Sequence, residues 1–329
     1  MAIVLTEADV KAVLPMRDLI DAMEGALAKF SAGEVVQPVR SVLQVGTSKA
    51  FFGVMPAYQP APAALGAKLV TVFAANTAHG LPTHLATIIL LDPDTGALAA
   101  LLDGRFITEA RTAAVSAVSV QHMARPEPAG GATLAILGSG VQARSHLEAI
   151  ALIRRLKEVR VWSPTAANRD RFVREMAPHA SAPLRAVPSA RDAVHDADII
   201  VLATASPAPV VQHEWIAGGA HICAVGACRP DVREMDGPLV AGARLIVDSR
   251  AGALTEAGDV VLAIQDGLCG PDHIAGELGE VVSKRLSGRT SLNEITIFKS
   301  LGMAVEDVAA AELAWRRAAE QGLGRAIPL

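Results

Sequence analysis

Between residues 132 and 152 the chain reads ATLAILGSGVQARSHLEAIAL. An apolar run from Leu134 to Leu137 stops at Gly138-Ser139-Gly140. From Val141 the apolar spacing becomes helical, with Ala143, Leu147 and Ile150 on one face. The pattern predicts a strand, a tight turn and a helix. In such a turn Gly138 permits the sharp bend, Gly140 lets a pyrophosphate approach the backbone, and Ala143 allows close helix–strand packing. The helix N-terminus adds unpaired N–H groups and roughly half a positive charge. Further strand-like runs follow at Glu158–Trp162, Asp198–Thr204, Ala220–Val225 and Ala243–Asp248, with a helical stretch near Ala190–His195. This alternation predicts an α/β chain whose core is a Rossmann-type doubly wound parallel sheet that binds a dinucleotide.

The first hundred residues carry a different pattern. Thr6 reads as a helix N-cap, with Asp9 at the capping-box position. An amphipathic helix is predicted from Met16 to Ala32, stopped by Gly33. Strands are predicted at Arg40–Val45, Ala50–Pro56 and Ala67–Phe73. Asp92-Pro93-Asp94-Thr95-Gly96 reads as the turn of a hairpin joining 86–91 to 97–102. A long helix is predicted over Arg105–Ala124, and another over Ser300–Glu320 that packs back onto the first domain. The expected organisation is an α+β domain of residues 1–120 with 301–329, and a dinucleotide-binding domain of 121–300. The first is expected to hold its strands as an antiparallel sheet.

Composition narrows the function. With 329 residues, 51% hydrophobic and 19% charged, the chain can bury two cores. A net charge of −4 without a basic block argues against nucleic acid, and 3% aromatics argue against base-stacking platforms. No apolar run reaches membrane-spanning length, and the N-terminus lacks a signal-peptide pattern. The three cysteines, Cys223, Cys228 and Cys269, form no C-x-x-C pair and read as reduced thiols of a cytoplasmic protein.

The second strand of the nucleotide fold decides which cofactor is expected. An NAD site places a carboxylate at its end, against the ribose hydroxyls. Here the strand runs into Ser163-Pro164-Thr165, followed by Asn168 and Arg169. These offer donors and a cation in place of an acid, so NADPH is expected, with NADH as the alternative. Thr165 and its neighbours also suit a plain helix N-cap.

Three cations sit in apolar sequence outside that fold: Arg40, Lys68 and Arg111. Buried charge is costly unless paired. Arg40 in water, Lys68 on an edge strand, and Arg111 paired with Glu109 or Asp103 are the structural readings. Together the three suit a small carboxylate, which arginine grips in bidentate fashion. His79 and His84 flank a proline-containing loop at poor metal spacing, and no metal is expected. Glu256 reads either as a helix N-terminal carboxylate or as a site residue.

The strings MPA (55–57), GAKLVTVF (66–73), DGRFITEARTAAVSA (103–117), LAILGSGVQARSH (134–146), AVGACRPDVREMD (224–236) and IFKSLGMAVED (297–307) resemble the ornithine cyclodeaminase/mu-crystallin family over essentially the whole chain. The closest likeness is to its ketimine reductase and Δ1-pyrroline-2-carboxylate reductase branch. The resemblance implies a homodimer, with the N-terminal sheet and C-terminal helix forming the substrate-binding and dimerisation domain. It implies that Arg40, Lys68 and Arg111 surround a substrate carboxylate, with Thr83 and His84 near, and that Glu256 and Ser300 line the ligand pocket. Lys68 would be a candidate proton donor and Glu256 a candidate stabiliser of the iminium. Ser139, Val141, Gln142, Ser163, Thr165, Asn168, Thr204 and Val225 match cofactor-contacting positions.

True ornithine cyclodeaminases carry an essential aspartate in a G-D-C-P-like segment. Here that segment is Val225-Gly226-Ala227-Cys228-Arg229-Pro230, with alanine in its place. The expectation is therefore reduction of a cyclic imino acid, Δ1-pyrroline-2-carboxylate to L-proline or Δ1-piperideine-2-carboxylate to L-pipecolate. The alternatives are ornithine cyclodeaminase, alanine dehydrogenase and a non-catalytic NADPH- or ligand-binding protein.

Overall fold

The computed structural model describes residues 2–46 and 50–328. The chain opens with β1 (Ala2–Leu5), α1 (Glu7–Val13), α2 (Met16–Ser31), β2 (Ser41–Gln44), β3 (Ala50–Pro60), β4 (Ala63–Phe73), β5 (His84–Leu91), β6 (Leu98–Asp103) and α3 (Gly104–Met123). Next come β7 (Ala132–Leu137), α4 (Val141–Ile153), β8 (Leu156–Trp162), α5 (Ala166–Met176), β9 (Leu184–Ala186), α6 (Ala190–Val194) and β10 (Ile199–Leu202). They continue through β11 (His221–Ala224), α7 (Gly237–Gly242), β12 (Arg244–Val247), α8 (Arg250–Glu256), α9 (Gly258–Gln265), β13 (Ile274–Glu277), α10 (Leu278–Val282) and β14 (Thr296–Lys299). The end is α11 (Ala304–Gln321) and β15 (Arg325–Ile327).

Two compact units result, one of residues 1–111 with 302–329 and the other of 112–301. The boundaries expected from sequence fall at 120/121 and 300/301; the first observed division lies inside α3 instead.

The first unit holds a seven-stranded sheet ordered β15-β1-β6-β5-β4-β3-β2. The expected antiparallel sheet is mixed, because β1 pairs parallel with β6 and antiparallel with β15. Both short strands lie outside the expected set, having too few residues to show a period. Thr6 caps α1 in a complete capping box with Asp9. Register places Met55, Lys68, Ile88 and Leu102 on one face, and α11 packs against β3, β4, β5 and α2. The last helix starts at Ala304, four residues later than expected, because Gly302 turns the chain at φ +81°.

The second unit is the doubly wound sheet the alternation predicts. Its eight strands are all parallel and ordered β13-β12-β14-β11-β10-β7-β8-β9. Alternate residues of β7 feed two cores, Ala135 and Leu137 on one face, Leu134 and Ile136 on the other. That continuous apolar run is what burial on both faces demands. The order reverses between β7 and β10, which makes that edge of the central strand the switch point where such sheets bind ligands.

Two histidines lie wholly inside this unit. His146 donates from Nδ1 to the Gln142 carbonyl at 2.7 Å and meets Ser116 Oγ at 2.9 Å. His221 meets Ser119 Oγ at 3.0 Å and Thr296 Oγ1 at 2.9 Å. Burial lowers their pKa to about 4 and about 3, with Arg289 and Arg154 also acting on His221. Both stay neutral in the folded state, whereas the unfolded chain protonates them below about 6.5. Their contribution to stability is present above that pH and is lost as pH falls from 6.5 toward 4. Thermal melts at pH 7, 6 and 5 are expected to show a progressive fall, shallower in His146→Gln; an identical slope in the variant would remove His146 from this account.

Candidate active site

The first unit contains a buried ionic cluster. Lys68 lies on β4 between β3 and β5, so it is an interior-strand residue and the edge-strand reading is wrong. It is 2% exposed and pairs with Asp307 at 2.6 Å. Arg111, on α3, pairs with Glu306 at 2.6 Å and Asp307 at 3.0 Å. The expected alternatives Glu109 and Asp103 are not these partners; Glu109 pairs with Arg105 instead. Helical spacing makes Glu109 a plausible neighbour, but the partners lie 195 and 196 residues away on α11. Sequence reasoning missed those two carboxylates, although an acidic pair in the first turn of a helix, followed by the apolar run Val308–Ala311, was the available signal.

Burial pushes the Lys68 ammonium down to about 8; Asp307 opposes this, while Arg111 and Arg40 add to it. Burial would raise Asp307, but Arg111 and Lys68 outweigh it and hold that carboxyl below the usual range. His84, half-buried at the start of β5, is lowered to about 4 by burial and by Lys68 and Arg111, so it is neutral. Arg40 is half-buried immediately before β2 and close enough to act on Lys68. The structure thus gathers Arg40, Lys68, His84 and Arg111. Thr83 is exposed, and its carbonyl accepts from the Phe73 N–H. His79 ends a short 3-10 turn, Ala74–His79.

Arg40, Lys68 and Arg111 bring three cationic side chains together, two of them held by the Glu306 and Asp307 carboxylates.

The second unit carries the other candidates. Gly138 adopts φ +123°, and a Cβ there would lie 2.4 Å from the Ala203 carbonyl oxygen. Gly140 is the N-cap of α4 and has no side-chain cap, and a Cβ there would meet nothing within 4 Å. Space and unpaired first-turn N–H groups therefore coincide, and the turn fits a pyrophosphate. Val141 is exposed beside it, and the buried Gln142 Oε1 has no hydrogen-bond partner among the described residues.

Ser139 Oγ donates to Ser163 Oγ at 3.2 Å, joining the ends of β7 and β8. Thr165 is the N-cap of α5 but makes no side-chain cap bond, which weakens the plain N-cap reading. Arg169 donates to the Ser163 carbonyl at 2.9 Å, and Asn168 accepts from Arg171 at 3.2 Å. No carboxylate stands among these residues, as the sequence indicated. Thr204 and Val225 follow β10 and β11 at the carboxyl end of the sheet.

Glu256 ends α8, so the N-terminal reading is wrong; the glycine-rich run after it opens α9 instead. Ser300 is buried after β14, its N–H donating to the Ala224 carbonyl and its Oγ lacking a partner among the described residues. These two belong to the second unit.

The family model for the ornithine cyclodeaminase/mu-crystallin family matches residues 1–322. Ketimine reductase mu-crystallin of Rattus norvegicus is 45% identical over 300 residues, 90% of this chain and 91% of that protein. Δ1-Pyrroline-2-carboxylate reductase of Bacillus cereus is 33% identical over 326 residues, 99% of each chain. Among solved structures, Thermococcus litoralis Δ1-pyrroline-2-carboxylate reductase in complex with NADH and L-proline matches with a TM-score of 0.95 at 37% identity, covering 99% of this chain and 100% of that one.

Proposed function

The chain belongs to the ornithine cyclodeaminase/mu-crystallin family, and on that premise we propose that it is an NAD(P)H-dependent oxidoreductase acting on the C=N bond of cyclic ketimine carboxylates. Δ1-Pyrroline-2-carboxylate, reduced to L-proline, is the leading substrate, and Δ1-piperideine-2-carboxylate, reduced to L-pipecolate, the second. The observation that carries this reading is the gathering of Arg40, Lys68 and Arg111 in one unit, a cationic set suited to a small carboxylate. Relatives named as ketimine and pyrroline-2-carboxylate reductases support the same chemistry. Ala227 stands where cyclodeamination calls for an aspartate and disfavours that alternative.

The cofactor supplies a hydride when bound. The chain's own residues orient and protonate. Arg40 and Arg111 hold the carboxylate, each charge-assisted contact worth roughly 1.5–3 kcal/mol. Lys68 is the proton donor in this reading. In this reading Thr83 and His84 lie close to the carboxylate, and Glu256 and Ser300 are the second unit's own ligand-contacting residues. Ser163, Thr165, Asn168 and Arg169 favour NADPH over NADH by offering donors where an NAD site carries an acid.

The direct test is loss of nicotinamide absorbance with Δ1-pyrroline-2-carboxylate, run with NADPH and NADH in parallel. Turnover with a preference for NADPH supports the proposal; cofactor binding without turnover on either ring size overturns it. As a proton donor, Lys68 must be charged, so kcat is expected to fall as pH rises through about 8. Lys68→Met should lose about 10²-fold or more in kcat and lose that alkaline limb. An unchanged pH profile in the variant would assign the proton to another group.

We also propose a homodimer. The sheet face opposite Lys68 carries Phe52, Val54, Leu65, Leu69, Ile89 and Leu101, all half-exposed, and the described residues of β2 beside them are exposed. A continuous apolar face of this kind suits a second copy. Light scattering should give twice the 34.1 kDa chain mass. The cysteines are free thiols, which suits a cytoplasmic setting, and no helix among the described residues is long and apolar enough to cross a membrane.

A further inference from the structure

Three neighbouring strands of the second unit end over a buried ion cluster that has no part in the chemistry above. Glu234 is fully buried. Its Oε1 accepts from the Thr204 N–H and hydroxyl, each at 2.6 Å. The N–H groups of Glu234 and Met235 donate to Asp259 Oδ1 at 2.8 and 3.0 Å. Asp259 pairs with the buried Lys299 at 3.2 Å, and Lys299 also donates to the Gly226 carbonyl. Glu234 Oε2 has no hydrogen-bond partner among the described residues, and it lies against Gly226, where a Cβ would sit 2.1 Å away.

Position gives the cluster its meaning. Thr204 follows β10, Gly226 follows β11, and Lys299 ends β14, all at the carboxyl edge on one side of the switch point. The Ser163–Arg169 segment follows β8 on the other side. A doubly wound sheet splits a dinucleotide across that point, one nucleotide to each side. With the adenosine half toward β8, the nicotinamide half falls over β10, β11 and β14.

The charges fall out of balance there. Lys299 and Asp259 offset one another, and Glu234 adds a second carboxylate. Facing Glu234 are Asp259 from α9, Lys299 from β14 and Thr204 after β10, while Cys228 acts on Lys299. The exposed pairs Arg229–Asp231 and Arg233–Asp266 are each internally balanced. An oxidised nicotinamide ring carries a positive charge and a reduced one is neutral.

We propose that Glu234 sets the preference of the cofactor site for oxidised over reduced nicotinamide, favouring the oxidised form when its carboxyl is ionised. It is a positioning residue, acting through the field at the strand ends and through its hold on Thr204. The inference rests on the dinucleotide reading of this unit. Burial and then Asp259 raise Glu234 to about 7, against Lys299 and the Thr204 hydrogen bonds. Below that pH the cluster is neutral; above it the net charge is −1.

The test is calorimetric affinity for NADP+ and for NADPH, without substrate, from about pH 5.5 to 8.5, a span that brackets the Glu234 titration. The ratio of the two affinities is the readout, since 2′-phosphate titration near pH 6 affects both forms and cancels. In the wild type the preference for the oxidised form should rise about tenfold through pH 7, the scale of one charge acting across several ångströms of protein. In Glu234→Gln, which keeps an acceptor for Thr204, the ratio should be flat. In Thr204→Val, which removes a hydrogen bond to the ionised form, the midpoint should move to higher pH. A flat wild-type ratio, a slope that survives in Glu234→Gln, or an unmoved midpoint in Thr204→Val each overturns the proposal. A wild type that binds neither form overturns the dinucleotide reading, and this inference with it.

Discussion

Arg111→Ala is expected to lower kcat/KM for Δ1-pyrroline-2-carboxylate by about 10³-fold, through a lost charge-assisted contact and the misorientation that follows. Arg111 is one of three cations in the cluster, and its loss also leaves Glu306 and Asp307 without the guanidinium they hold. Stability should fall as well, because breaking a buried pair from one side costs about 3–5 kcal/mol. Urea unfolding measures that loss, and steady-state kinetics on the folded fraction measure the other. Gly302 offers an independent check, since a Cβ there would lie 2.2 Å from an Arg111 guanidinium nitrogen. Gly302→Ala should raise KM through displaced Arg111 without removing its charge. If Arg111→Ala weakened cofactor binding alone and left substrate kinetics intact, its carboxylate role would be wrong.

Gly138→Val should be severely damaging to the second unit. The residue is at φ +123°, and what a side chain would strike is the backbone carbonyl group of Ala203. Ala203 is held in turn by a 2.8 Å hydrogen bond from its N–H to the Leu137 carbonyl. No flexible side chain can swing aside, so relief means moving a strand end, at a cost of about 3 kcal/mol or more. Gly140→Ala separates folding from binding. It meets no atom within 4 Å and has negative φ, so the protein should melt normally. Its methyl group would fill the space assigned to pyrophosphate, and NADPH affinity should drop by at least about tenfold. Unchanged affinity in Gly140→Ala would take the pyrophosphate away from this turn.

The nucleotide fold was legible in the sequence because its signals are local. The strand–Gly138–Gly140–helix run is read from neighbours, as are the capping box at Thr6 and the hairpin turn at 92–96. The buried pairings were not legible. Lys68 and Arg111 stood out as charges in apolar sequence, but their partners come from a helix nearly two hundred residues beyond Arg111. Glu234, Asp259 and Lys299 were invisible for the same reason, each lying in a different part of the chain. The family resemblance covers the string that contains Glu306 and Asp307 without saying that they face Lys68 and Arg111. β1 and β15 escaped because four and three residues cannot display a period.

The position of Gly302 against the Arg111 guanidinium bears on how such a chain can be rebuilt. The first unit is interrupted after residue 111 and resumes at 302, and those two ends touch. The intervening 112–301 is therefore a guest spliced into a host whose cut ends already meet. A graft that replaces the guest with another parallel-sheet module needs only to begin by completing α3 and to return beside it. Fold and guest chemistry could then be recombined as separate cassettes, the host bringing its Lys68–Arg111–Asp307 cluster unchanged.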